Sequence, residues 1–278
     1  MKLNKYLMED DEESYRLDIK TDGSVVEDQA RWAGIQAGMR VVDLGCGAGK
    51  TTYHLNKLVQ PQGETIGIDF VQQRIQYAKK HYSFEGIQYA VRDIREPLED
   101  LGTFDFLWIR FVLEYYLAES FEIVKNIGRI LKPGGIICLT DLDCNCLRHW
   151  GIPPRLEKAL GRVMQNLKDN FNFDPYAGIK LYSFLFDLDY EDIEVRVIPH
   201  NLIFGQLQEK DEFNWTKKFE FAAKRSGYQF EEYDGRSDEF YKEFKTYFSD
   251  QRRFTYTPMI SCRGRKPFRR SATACSNT

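Results

Sequence analysis

Residues 43–52 read DLGCGAGKTT and follow the apolar run MRVV. Glycines after a strand let backbone approach a ligand without a Cβ in the way, and a Gly-Lys-Thr ending suggests a nucleotide phosphate. The spacing argues otherwise. A Walker A loop needs four residues between its first Gly and its Gly-Lys pair, whereas Gly45 and Gly49 have three between them. The dinucleotide fingerprint G-x-G-x-x-G fails as well, because the glycines run Gly45, Gly47, Gly49. What remains is D-x-G-x-G-x-G, with Asp43 closing the strand ahead of the glycines. Two further carboxylates, Asp69 in IGIDF and Asp93 in VRD, also close apolar runs. Each suits either a ligand contact or the capping of the next helix or turn.

These residues need elements to position them, and the hydrophobic pattern supplies a series. Short apolar runs at 39–44, 64–70, 86–93, 104–110 and 135–142 read as strands. Between them, 49–59, 71–82 and 120–131 read as helices, the last with Phe121, Val124, Ile127 and Leu131 on one face and Lys132-Pro133-Gly134-Gly135 as its stop. Strands that alternate with helices and are apolar on both sides predict a parallel sheet covered on both faces. Beyond residue 150 the pattern changes: an amphipathic helix over 155–171, strands at 192–204 and 255–265, and between them an aromatic-rich stretch, 205–254, that reads as a helical cap. The tail from 266 is polar and basic, and disorder is expected there.

VVDLGCGAGKTT resembles motif I of class I S-adenosylmethionine-dependent methyltransferases, a resemblance that covers roughly residues 38–142 and, weakly, the two late strands. It implies an α/β fold: a Rossmann-like, doubly wound, mostly parallel seven-stranded sheet with helices on both faces, and here a helical cap inserted before the last strand. The implied units are an N-terminal helical cover (1–38), a core (39–204 and 255–265), the cap (205–254) and the tail (266–278). The implied cofactor is S-adenosylmethionine, leaving as S-adenosylhomocysteine. Gly45, Cys46 and Gly47 would meet it along the loop, and Asp43 would answer its amino group. Asp69 would take the ribose hydroxyls and Phe70 would pack on the adenine. Asp93 would accept from the adenine amino group, with Ile94 on the ring face. Arg110 would lie beside the ligand at the end of the fourth strand. In SYRLDIKTDG (14–23), Tyr15, Arg16 and Lys20 are candidate donors to the cofactor's carboxylate, Arg16 being preferred. Lys50 and Thr51 are then expected to start a helix, with Lys50 facing solvent or an acidic neighbour.

The rest of the chain narrows the class. With 278 residues, 42% of them hydrophobic and 14% aromatic, the chain supports a sizeable core. A net charge of −3 gives no global reason to expect nucleic acid, and the basic run at 263–270 reads as a solvated tail. No apolar run approaches the roughly 20 residues of a membrane span, and the N-terminus is charged where a signal peptide would be apolar. A cytoplasmic protein with reduced thiols is therefore expected.

The methyl acceptor is less legible. The fourth strand leads into IRFVLEYY and not into the Asn/Asp-Pro-Pro-aromatic pattern of enzymes that methylate adenine, cytosine or glutamine amides. The aromatic cap suggests an apolar pocket and a small-molecule acceptor, with Tyr115 and Tyr116 near its mouth. No catalytic residue stands out. Asp141, Asp143, His149 and His200 are candidate bases, and His54 reads as a helix residue. Cys144, Cys146 and His149 form too sparse a set for a metal site, so none is expected. Two other readings compete: an NAD- or ATP-binding protein, and a catalytically silent S-adenosylmethionine-binding module.

Overall fold

The computed structural model describes residues 13–268. Residues 1–12 and 269–278 lie outside it, and with them all but 266–268 of the tail expected to be disordered. In chain order the elements are α1 (Glu13–Lys20), α2 (Gly23–Ala33), β1 (Arg40–Leu44), α3 (Lys50–Val59), β2 (Glu64–Asp69), α4 (Gln72–His81), β3 (Ile87–Val91) and β4 (Phe104–Arg110). There follow α5 (Ser120–Ile127), β5 (Leu131–Leu142), β6 (His149–Trp150), α6 (Pro154–Phe171), α7 (Ala177–Asp187), β7 (Glu191–Phe204), α8 (Glu209–Arg225), α9 (Ser237–Ser249) and β8 (Phe254–Arg265).

The sheet runs β3-β2-β1-β4-β5-β8, with β7 along the other side of β8 and β6 against its start. Strands β1 to β5 pair in parallel, and β8 is antiparallel to both β5 and β7. Among the described residues there are eight strands where seven were expected, because the two-residue β6 adds itself beside Phe254 and Thr255. The winding reverses between β1 and β4, which opens a crevice at the carboxyl ends of these strands, where ligands bind in open α/β sheets.

Alternation along the central strands explains the layers. Val41, Phe106, Trp108 and Cys138 face one side and pack with Val26, Ala30, Leu55 and Val59 of α2 and α3. Val42, Leu44, Leu107, Ile109 and Leu139 face the other and pack with α5 and with Leu181 and Leu185 of α7. Both faces are covered, so the strands read as unbroken apolar runs.

Helix α7 was not legible in the sequence. Its apolar residues form no clean stripe: Leu181 and Leu185 are buried, while Ile179, Tyr182 and Phe186 are exposed. Helix α5 ends earlier than its pattern suggested. It tightens into a 3-10 turn over 128–130, and Lys132 to Gly135 lie inside β5, where a register shift in the β4 pairing accommodates them. Gly134 has φ +77° there and donates its N–H to the Lys266 carbonyl, which extends the ordered chain beyond β8.

A separate apolar cluster forms beside the sheet. Trp215 and Phe219 of α8 and Phe240, Phe244 and Phe248 of α9 pack with Leu156, Leu160, Val163 and Leu167 of α6. The sequence grouped α6 with the sheet, but its buried stripe faces the two helices of 205–254. Truncating a side chain buried like Trp215 costs about 3–5 kcal/mol.

Candidate functional site

The loop after β1 opens the crevice. Gly45, with φ +78°, and Gly49, with φ +88°, take backbone conformations that favour glycine. A Cβ on Gly45 would stand 2.5 Å from Val112, and one on Gly49 2.6 Å from Ala78, so the loop also needs glycine for space. The N–H groups of Gly45 and Cys46 both donate to the Ile68 carbonyl at 2.8 Å. Asp69, at the end of β2, completes the tie. Its Oδ2 accepts from the Gly47 N–H at 3.0 Å and its Oδ1 from the Val71 N–H at 2.9 Å, with Arg74 3.9 Å away. Burial pushes its carboxyl up, and Arg74 and the backbone donors pull it back.

A cavity lies above this loop. Gly45, Cys46 and Gly47 form its floor, with Asp69 and Phe70 from the end of β2, Ile94 after β3 and Arg110 at the end of β4. Helix α1 closes it from above through Arg16, Leu17 and Lys20, with Thr21 just after the helix. Its empty space, open mouth included, is about 1290 Å³.

Eight of the ten residues singled out in the sequence therefore share one wall: Arg16, Gly45, Cys46, Gly47, Asp69, Phe70, Ile94 and Arg110. Asp43 and Asp93 do not line it. Asp43 sits beneath the loop and accepts from the Thr52 hydroxyl at 2.7 Å, where burial pushes its carboxyl up to about 7. Asp93 is chelated by its neighbour Arg95, whose Nε lies 3.0 Å from both carboxylate oxygens. The one places a strand against the following helix, the other a turn.

Lys50 begins α3, as expected, and meets an acidic neighbour. Its ammonium donates to the Asp18 carbonyl at 2.9 Å and lies 3.5 Å from the Asp18 carboxylate. Asp18 also accepts from Tyr77 at 2.9 Å and Tyr82 at 2.5 Å, which moors α1 over the cavity. His54 meets Glu27 at 2.8 Å, away from the cavity wall.

The end of β4 carries residues that the sequence did not reveal. Phe111 has φ +58°, a conformation disfavoured for a bulky side chain, and is held by its N–H to the Thr140 carbonyl at 2.9 Å. Its ring has the Arg110 guanidinium 4.1 Å from its centre and the His200 ring 4.7 Å away. Arg110 donates to the Gln29 side chain at 3.1 Å, and burial lowers it to about 10. Glu114 is buried, lines the cavity, and accepts from Asn145 at 2.8 Å. No sequence pattern marks a positive φ at Phe111. Glu114 leaves a fainter sign, as a lone carboxylate inside the apolar run FVLEYY.

Of the four candidate bases, His200 reaches the cavity. Burial, reinforced by Lys20, Arg110 and Lys218, holds its imidazole neutral, and among the described residues its Nε2 is buried without a hydrogen-bond partner. Asp141 is fully buried beneath and accepts the Glu114 N–H at 3.1 Å. His149 spends both ring nitrogens on the Thr255 hydroxyl and the Cys146 carbonyl, at 2.9 and 3.0 Å. Cys144 points its thiol at the Asp143 carboxylate, 3.3 Å away.

Comparison with known proteins places this geometry. The chain is 37% identical over 109 residues to demethylmenaquinone methyltransferase of Staphylococcus aureus, a match covering 38% of the chain and 44% of that relative. The chain thus spans under half the length of the curated relatives it matches. Among solved structures, the YcgJ protein of Bacillus subtilis aligns over 88% of this chain and 99% of its own, with a TM-score of 0.56 and 15% identity. The [4+2]-cyclase SpnF aligns over 88% of this chain and 81% of its own, with a TM-score of 0.53 and 18% identity. At such identities the likeness is one of fold, and a cyclase among the neighbours shows that the fold does not fix the reaction. A family model described as a methyltransferase domain matches residues 35–222, from the approach to β1 into α8. The glycine loop, the crevice at the switch in winding and the helical wall above it all fall within or against that stretch, and the chain belongs to the methyltransferase domain family.

Proposed function

We propose that the chain transfers the methyl group of S-adenosylmethionine to a small-molecule acceptor. The observation that carries this reading is the shared wall of Gly45, Gly47, Asp69, Phe70 and Ile94 at the carboxyl ends of β1 to β3. The glycine loop has no phosphate-sized wrap, which suits a ligand whose nucleoside carries none. Asp69 lines the cavity, and its carboxylate is placed to accept from ribose hydroxyls beside the backbone N–H groups it already holds. Phe70 and Ile94 offer apolar faces to an adenine. Arg16, on the α1 wall, supplies the guanidinium that a carboxylate calls for.

In the reaction, a lone pair of the acceptor bonds to the methyl carbon, and the carbon–sulfur bond breaks with its electrons left on sulfur. Positive charge disappears from the sulfonium, so alignment and exclusion of water supply much of the rate. An acceptor that must lose a proton needs a base. His200 suits this role through its neutral imidazole and unpartnered Nε2.

No described helix is long and apolar enough to cross a membrane. The test is incubation with S-adenosylmethionine bearing an isotopically labelled methyl and a fractionated small-molecule extract. Label in a non-protein product, matched by S-adenosylhomocysteine, is the expected result. S-adenosylhomocysteine binding with no product above the protein-free control contradicts transfer.

A further inference from the structure

A second chamber adjoins the cavity described above, and the two share four wall residues: Arg16, Lys20, Glu114 and Tyr115. Away from this common wall the second chamber lies between α6 and α8, where Leu160, Met164, Leu167, Phe173, Phe219 and Ala222 line it. Of the two cap helices α8 lines this chamber, and neither lines the cofactor cavity. Lys218, on α8, also lines it and does not line the cavity over the glycine loop.

We propose that the second chamber holds the acceptor, and that the acceptor is a small molecule with an apolar body and an ionised acidic group placed against Lys218 and Lys20. The proposal rests on the methyltransferase reading for the word acceptor, but the chamber's ligand chemistry stands on its own residues. The apolar lining has no use for a strongly polar body. The common wall and Lys218 bring three cations, Arg16, Lys20 and Lys218, around one carboxylate, Glu114. The Lys218 ammonium lies 5.2 Å from the Trp215 ring and 3.7 Å from the Cys146 sulfur, neither of them an anion. Glu114 has a hydrogen bond from Asn145; burial pushes its carboxyl up while Lys20 and Lys218 pull it down, and it is one carboxylate facing three cations. Burial, with Lys218 and Arg16 nearby, lowers the Lys20 ammonium to about 7. An arriving anion relieves that repulsion and takes charge-assisted hydrogen bonds in a desolvated site. Arg16 and Lys20 line both spaces, which leaves Lys218 as the cation that belongs to the acceptor side alone.

Octanoate, 1-octanol and octyltrimethylammonium share an apolar chain and differ in head group. Each is titrated calorimetrically into the full chain, with and without S-adenosylhomocysteine. The expected result is octanoate binding on the order of tenfold or more tighter than either other probe, as for one charge-assisted bond. Lys218→Met should remove most of that preference, and Met164→Trp, which fills the chamber, should abolish octanoate binding. Both variants should bind S-adenosylhomocysteine as the parent does. Equal affinity for the three probes, or octanoate binding unmoved by both substitutions, overturns the proposal. Failure of the unsubstituted chain to bind S-adenosylhomocysteine overturns the methyltransferase reading alone, because octanoate is also measured without it.

Discussion

The Asp69 carboxylate at the end of β2 accepts the N–H of Gly47, in the loop after β1, at 3.0 Å. One side chain thus sets the loop's position and faces the cavity that the loop floors. Asp69→Ala removes the tie to the loop together with the partner of the ribose hydroxyls. Each lost bond to a charged group costs about 1.5–3 kcal/mol, so S-adenosylhomocysteine affinity should fall by at least tenfold. Calorimetry checks this, and an unchanged affinity would remove Asp69 from the ribose.

His200 should matter to turnover and not to cofactor binding. Once an acceptor that must lose a proton is in hand, His200→Gln should lower kcat about 10²-fold or more, the usual worth of a positioned base. S-adenosylhomocysteine affinity should stay as in the parent. A full rate in the variant would assign the proton to solvent.

Asp43 makes stability depend on pH. Its folded carboxyl is pushed up to about 7, chiefly by burial, from an ordinary value of 3.8. The folded state then holds a proton that the unfolded state releases. The stabilising difference is fully present below 3.8 and is lost as pH rises through about 7, by up to about 4 kcal/mol. Asp43→Asn keeps an acceptor for Thr52 and removes the titration. Denaturant midpoints taken across this window should fall with rising pH in the parent and fall less steeply in the variant, where Asp69 and Glu114 remain raised. Parallel curves would contradict the assignment.

Much of this site was legible because it depends on backbone. A loop needing glycine at Gly45 and Gly49, and a carboxylate ending β2, leave fixed spacings in the sequence. Asp43 and Asp93 show the limit. Their spacing fits a ligand contact and a structural contact equally, and their structural partners, Thr52 and Arg95, come into view only in the fold. Lys218 and Glu114 were illegible for a different reason. They lie over a hundred residues apart in sequence, and their neighbourhood exists only once α8 has packed beside α1. The same holds for α6, whose amphipathic stripe shows that it packs but not against what.

Lys50→Ala tests the phosphate reading of the Gly-Lys-Thr ending. Lys50 lines the cavity, but its ammonium is occupied with Asp18 of α1. Its loss should leave S-adenosylhomocysteine affinity within about 1 kcal/mol, as for a partly exposed ion pair. A larger loss would make Lys50 a ligand contact or show that the mooring of α1 is required for binding.

Ligand selectivity of the unsubstituted chain bears most directly on the central claim, that the glycine loop and Asp69 form a site for S-adenosylmethionine. Calorimetric titration of the full chain with S-adenosylhomocysteine, NAD and ATP in turn decides it. The account predicts saturable binding of one S-adenosylhomocysteine per chain and no saturable binding of the other two. Saturable ATP or NAD binding without S-adenosylhomocysteine binding would contradict it, because the loop over Gly45 to Gly49 would then be serving a phosphate.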